Sequence, residues 1–388
     1  MKKDGISRTQ LMALLWAGLM APAAELLPSL LLPQAGKGAW LAVALAGPVV
    51  LGLGWMLGQL AGRQGLAQGF LGLLGKWPGR ALILLYIVWA QLLLALRLRL
   101  CAQRLLISGN RDGSVWFFLL AVAGVLLWMG RGKLAAFARA GQIFLAALLC
   151  AALVVLGLSL VQARPERLLP LWWGDGLPMV KAAVQVTGVM GWGLFAAFLL
   201  GSVRDQGEKK GWHWLFWGLG GTLLLAGAQA VILGNLGAGL AMELNNPFFF
   251  LAKSVGVEGA FQRVEGIISA LWTFADLTMG GVLVFSIRAM GRELVPEGLR
   301  NCIPYLSVGL AALGGLVFAP GAGIIQLMGE KIVPAGNLIL GAWVPLVLYV
   351  WMLVHHKGEI SGISCDKTRK KHKIQEPWKR LKKSKKSY

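Results

Sequence analysis

A carboxylate stands inside the first apolar stretch of the chain: Glu25, within Leu11–Pro33 (LMALLWAGLMAPAAELLPSLLLP). Later apolar stretches are also interrupted by charge, Arg97 and Arg99 in 79–104 and Asp276 in 262–288. A charge at the centre of a bilayer costs about 2.5–3.5 kcal/mol on the insertion scale, so each needs a partner or a wet cavity. Glu25 and Arg97 both lie past the middle of stretches expected to run the same way, which predicts an ion pair between them. The simpler readings are a packing clamp, or an Arg97 that reaches outward to the interface. Arg97 and Arg99 point about 200° apart on a helix, and Arg97 shares its face with Cys101 and Arg104. Asp276 has two readings: carrier of a coupling proton, or a carboxylate bonded to Thr273, Thr278 or backbone.

The backbone offers chemistry of its own. Pro22 and Pro28 each remove a helical donor and crowd the preceding turn, so a break is expected through Ala21–Pro28. A second is expected at Gly188-Val-Met-Gly191-Trp-Gly193. Such breaks survive in lipid only where protein or a water-filled cavity satisfies the freed groups. Exposed carbonyls and half-helix amides suit the ammonium and carboxylate of a zwitterion. The candidate ligand-binding residues are therefore Gly18, Ala21 and Glu25, Arg97, Gln185, Thr187, Gly188 and Gly191, and Trp272 and Asp276.

The elements that must position these residues are membrane helices. The 388 residues are 57% hydrophobic and 14% charged, against roughly 25% charged in soluble domains. Ten spans are expected, at 10–32, 38–62, 79–104, 114–130, 137–161, 179–203, 212–236, 262–288, 302–319 and 334–355. Ten spans with breaks in the first and sixth divide into five plus five, an inverted repeat of the LeuT/APC-like, all-α membrane class. The chain then reads as a ten-helix domain, 1–356, and a basic cytoplasmic tail, 357–388. With the N-terminus inside, fifteen Lys/Arg besides the tail face the cytoplasm and nine face outward, which places both termini in the cytoplasm.

The net charge of +21 does not point to nucleic acid. Twelve Lys/Arg against three acids sit in the tail, where anionic lipid is the expected partner. Lys2, Lys3, Arg8 and Ala21-Pro22-Ala23 imitate a signal peptide, but the apolar run resumes after Glu25 and reads as a span. The four cysteines show no CxxC spacing and predict neither disulfide nor zinc. No P-loop, HExxH or GxSxG is present, so neither an enzyme nor an ATP-driven pump is expected. Gly54, Gly58 and Gly62 have the spacing of close helix packing. The aromatic stretch Asn246–Val255 either lies on the membrane surface or caps an outward-facing cavity.

Several short stretches, in this order, carry a resemblance. They are Ile6-Ser7 with Gln10, Leu26-Leu27-Pro28, Ala35-Gly36-Lys37-Gly38-Ala39-Trp40, Leu168-Leu169-Pro170-Leu171-Trp172-Trp173-Gly174 and Asn246-Pro247-Phe248. Arg263-Val264-Glu265 with Ala270-Leu271-Trp272 completes the set. Over roughly 1–356 the chain resembles the GerAB family of spore-germination receptor B subunits, within the amino acid–polyamine–organocation transporter superfamily. The resemblance implies a small germinant, typically an amino acid, held between spans one and six. It also implies receptor A and C subunits as partners and the spore inner membrane as the location. The expected function is that of a membrane sensor of an amino-acid-like germinant. The alternative is a proton-coupled amino acid transporter of the same superfamily, and a channel or structural membrane partner stands behind both.

Overall fold

The computed structural model describes residues 5–62, 64–109, 113–169, 176–204, 210–244, 246–254, 264–317 and 321–354. Two compact units are present, Met1–Pro345 and Leu346–Tyr388. Of the second, 346–354 is helical and the basic tail lies outside the described residues. Among the described residues seven stretches are long and apolar enough to cross a membrane; the first of them, Arg8–Ala61, contains two helices. These are α1 (Arg8–Ala35) and α2 (Ala39–Ala61), joined by a 3-10 turn at Gly36–Gly38. The turn needs glycine, because Gly36 has a φ of 48°.

After a short α3 (Leu66–Leu74) come α4 (Lys76–Gly109), α5 (Val115–Arg131) and α6 (Leu134–Leu160). The sixth span is composite: α7 (Gly176–Met190), a 3-10 turn at Gly191–Gly193, then α8 (Leu194–Ala197). Next are α9 (Lys210–Glu243), the short α10 (Pro247–Ser254), α11 (Val264–Leu294) and α12 (Ile303–Val317). The stretch expected as the tenth span holds α13 (Ala322–Leu327) and α14 (Val333–Leu338), each followed by a π-helical bulge, Met328–Ile332 and Ile339–Trp343. Long apolar helices dominate because lipid leaves no other partner for backbone amides.

The first span corrects an expectation. It is one continuous helix with Pro22, Pro28 and Pro33 inside it. Each proline leaves the carbonyl four residues earlier without its amide, at Gly18, Ala24 and Ser29. The ring clash that would break a helix in water is tolerated here, because α1 packs against α6, α7, α9 and α11 and has no solvated alternative. Gly18 lets α11 approach until its backbone at Met279 lies 3.2 Å from where a Cβ would stand. In the sixth span the winding does change at the expected glycines, tightening to 3-10 rather than unwinding: Met190, Gly193 and Leu194 all keep αR dihedrals.

Contacts close the bundle near the start of the first helix and over its other half. Before α1, Ile6 is fully buried and forms a parallel bridge with Val203, its amide donating to Ser202 O at 3.0 Å. Ser7 and Gln10 then form a capping box. In the α9–α11 connection, Phe248 of α10 is buried and packs at a tilt against Trp272, with centroids 5.1 Å apart. In this stretch Leu251 and Ala252 are buried as well, while Phe250 is 42% exposed. A bend in α9 at Gly237 (φ 73°) is held by Arg167, which donates to Asn235 O.

The second π-bulge is pinned by Tyr86 of α4, whose hydroxyl donates to Leu340 O at 2.6 Å. The Tyr86 ring also meets Phe70 and Phe198 at 5.3 and 5.5 Å. Tyr86→Phe keeps these ring contacts and deletes the hydrogen bond. It should destabilise the protein by about 1 kcal/mol, the scale of interhelical hydrogen bonds in membranes, read as a lowered midpoint of thermal unfolding in detergent.

Candidate functional site

Four charged side chains meet where α1, α4 and α11 pack together. Arg97 Nη1 lies 3.1 Å from Glu25 Oε2 and donates to Asp276 Oδ1 at 3.0 Å. Arg104 Nη2 donates to Glu25 Oε1 at 3.0 Å, and its Nη1 donates to Asp276 Oδ2. Acid and base alternate round a closed ring of zero net charge. The geometry of α4 makes this possible: seven residues are two turns, so Arg97 and Arg104 share a face about 10 Å apart along the axis. One carboxylate from each neighbouring helix bridges them. Burial is deep, with Arg97 1% and Asp276 2% exposed, and a buried charge is tolerable only when paired in this way.

The ring leaves specific atoms unused. Nη1 makes both of Arg97's ion-pair contacts, while Nε and Nη2 are buried and find no acceptor among the described residues. Glu25 Oε2 is close to Arg97 but receives no hydrogen bond. Arg97's guanidinium also stands over the ring of Trp192, 5.0 Å from its centroid; Trp192 is fully buried in the 3-10 turn of the sixth span. The site therefore presents a two-donor fork of the shape that matches a carboxylate, beside an acceptor oxygen.

Of the expected residues, Glu25, Arg97 and Asp276 come together, and the Glu25–Arg97 pair forms as the spacing predicts. Asp276 takes the arginines as its partners, while Thr278 donates to Phe274 O at 2.7 Å. Gly18 and Ala21 lie on the Glu25 face of α1; Ala21 is fully buried. Gly188 and Gly191 are packing positions against α14. Cβ atoms there would lie 2.6 Å from Pro334 O and 2.7 Å from Asn337 Cβ. Thr187 Oγ1 donates to Ala183 O at 3.2 Å, and Gln185 keeps a buried Oε1 with no partner among the described residues. Trp272 lies apart, lining a cavity of about 30 Å³ with Met20 and Gln229.

Trp192 is a functional candidate that the spacing argument overlooks, and Arg104, already placed on the Arg97 face, is one it leaves out of the ligand-binding set. Hydropathy ends the span at Arg104, but α4 continues to Gly109; its seven-residue offset from Arg97 is the available signal. Arg263 lies outside the described residues, as does the side chain of Glu265. Among the described residues no three His, Cys, Asp or Glu stand close enough to hold a metal ion.

A family model named Spore_permease, described as spore germination protein, matches residues 5–313. No curated protein matches the chain. Among solved structures, a mutant form of the manganese transporter of Eremococcus coleocola aligns with a TM-score of 0.51 and 14% identity. The alignment covers 88% of this chain and 77% of that one. At that identity the likeness is one of fold: an all-helical, LeuT-like transporter architecture.

Proposed function

The chain belongs to the Spore_permease family of spore germination proteins, multi-pass membrane proteins related to APC-type transporters, and on that premise we propose that it senses a small zwitterionic germinant of the amino-acid type. The observation that supports this most is the neutral ring with its unused Arg97 fork and Glu25 Oε2. A free anion or cation would leave this ring unbalanced. A zwitterion brings one charge of each sign, so it can enter the alternating sequence and leave every buried charge paired.

In this reading the ligand carboxylate takes Nε–H and Nη2–H of Arg97, and its ammonium takes Glu25 Oε2. Trp192 supplies the aromatic face over which the Arg97 guanidinium is held. Access requires the ion pairs between α1 and its neighbours to loosen, and that loosening turns occupancy into a movement of α1. The signal then passes to receptor A and C subunits in the spore inner membrane, with both termini cytoplasmic and the tail on anionic lipid.

The test is calorimetric titration of the purified full-length protein in nanodiscs with a panel of amino acids and their decarboxylated amines. An amino acid should bind and its amine should not. Arg97→Lys keeps the charge but lacks the planar fork and should weaken binding about tenfold or more. Equal binding of amine and amino acid would sink the assignment. The transporter fold supports a second reading, a proton-coupled transporter, and uptake into proteoliposomes driven by a pH gradient would select it.

A further inference from the structure

One arginine of α4 has no place in the charged ring. Arg99 points about 200° away from Arg97, toward the corner where α4 meets α5 and α12. A Cβ built on Gly315 of α12 would stand 3.1 Å from Ala95 O, 3.1 Å from Leu119 Cδ1 and 3.8 Å from Arg99 Cβ. Arg99 is half-buried, and its Nε is enclosed without an acceptor. The two terminal nitrogens are not enclosed, and among the described residues they have neither an acceptor nor a carboxylate partner. An unpaired guanidinium beside lipid is costly and calls for a counter-charge.

The helices at this corner are short. α5 has 17 residues and α12 has 15, about 26 and 23 Å of helix against about 30 Å of hydrocarbon. A bilayer meets such helices by thinning. Arg99 stands near the end of both: Gly315 lies two residues before Val317, where α12 ends, and Leu119 four after Val115, where α5 begins. Trp116, 58% exposed in the first turn of α5, marks the interface close to this level. Lipid phosphates therefore come within reach of the Arg99 fork. We infer that Arg99 holds the phosphate of an anionic phospholipid in the notch between α4, α5 and α12. Its planar fork matches two phosphate oxygens, and the lipid's negative charge balances the guanidinium, whereas phosphatidylcholine would bring a second cation into the same corner. Gln103, also half-buried, follows one turn nearer the interface on the same face of α4, where its amide suits a headgroup hydroxyl. Phosphatidylglycerol has both features. On the proposed orientation this lipid belongs to the outer leaflet, away from the basic tail.

The purified full chain in a neutral detergent is titrated with phosphatidylglycerol and, separately, with phosphatidylcholine, and retained lipid is counted by native mass spectrometry. High ionic strength screens the solvated tail and releases lipid from it, while partly buried pairs are screened much less. Wild type should hold phosphatidylglycerol about fivefold more tightly than phosphatidylcholine, the worth of one basic residue at an anionic surface. Arg99→Gln should remove that preference. Arg99→Lys keeps the charge but not the fork and should bind phosphatidylglycerol more weakly than wild type. Equal retention of phosphatidylglycerol by wild type and Arg99→Gln would mean that Arg99 is only hydrated at the interface, and would overturn the proposal. Equal retention of the two lipids by wild type would overturn it too. Displacement of the lipid by inorganic phosphate would give the site to a free anion and overturn the lipid assignment. Should Arg99→Gln not fold, Arg99→Lys decides alone, and an unchanged affinity there would overturn the proposal. The notch and the ring lie on opposite faces of α4, so either site can fail while the other stands.

Discussion

Arg97→Gln should be among the most damaging single exchanges in the protein, costing about 3–5 kcal/mol of stability, the usual penalty for stranding a buried charge. Arg97 joins Glu25 to Asp276, and without it two carboxylates share Arg104 alone, leaving the interior of the bundle one negative charge in excess. Denaturant titration in detergent, followed by tryptophan fluorescence, measures the loss. Glu25→Gln should cost somewhat less, because Glu25 is the most exposed member of the ring at 17%. The double variant should cost less than the sum of the two, since each change removes the other's stranded partner. Strict additivity would mean that the two side chains do not interact.

Exchanges in the same ring separate stability from the proposed ligand binding. Exchanging all four members for apolar residues of similar volume removes the desolvation cost together with the attraction, and such exchanges of buried ion networks are often neutral or stabilising. A quadruple variant of this kind should recover most of the stability lost in Arg97→Gln while binding no amino acid. Recovery of both would make the ring a clamp and move the germinant elsewhere.

How much of this is legible in the sequence depends on which force decides each feature. Charge in lipid is so costly that its partners can be inferred from depth and direction alone, and the Glu25–Arg97 pair follows in that way. Arg104 escapes because its helix extends further than the apolar run suggests: an arginine at a hydropathy boundary reads as a loop residue until its neighbours are known. The first span misleads for the opposite reason. The cost of an internal proline is learned largely from helices in water, and α1 is enclosed by other helices for most of its length. The second π-bulge in the tenth span has no local signature, because it is held by Tyr86 and packs against the turn of the sixth span.

Glycines show the same limit, and one of them supports a large effect. Spacing marks Gly54 and Gly58 as close-packing positions, yet Cβ atoms at either would meet nothing within 4 Å. Gly188, expected to expose backbone to a ligand, has the carbonyl of Pro334 2.6 Å from its missing Cβ. The obstacle is backbone in a helix, so it cannot turn aside as a flexible side chain would. Gly188→Ala must therefore push the sixth and tenth spans apart. That separation would also strain the contact at Gly341, where a Cβ would stand 3.4 Å from Gly191 Cα, and the Trp89 Nε1–Asn337 Oδ1 hydrogen bond, now 2.9 Å. Overpacking of this kind costs about 1–3 kcal/mol and more when neighbours cannot yield, so Gly188→Ala should lie at or above the top of that range. Gly54→Ala, the same chemical change in another span, should stay within about 0.5 kcal/mol. Unfolding midpoints of the two variants, measured side by side in one detergent, check the contrast. Similar midpoints would mean that the sixth and tenth spans are not in backbone contact at Gly188.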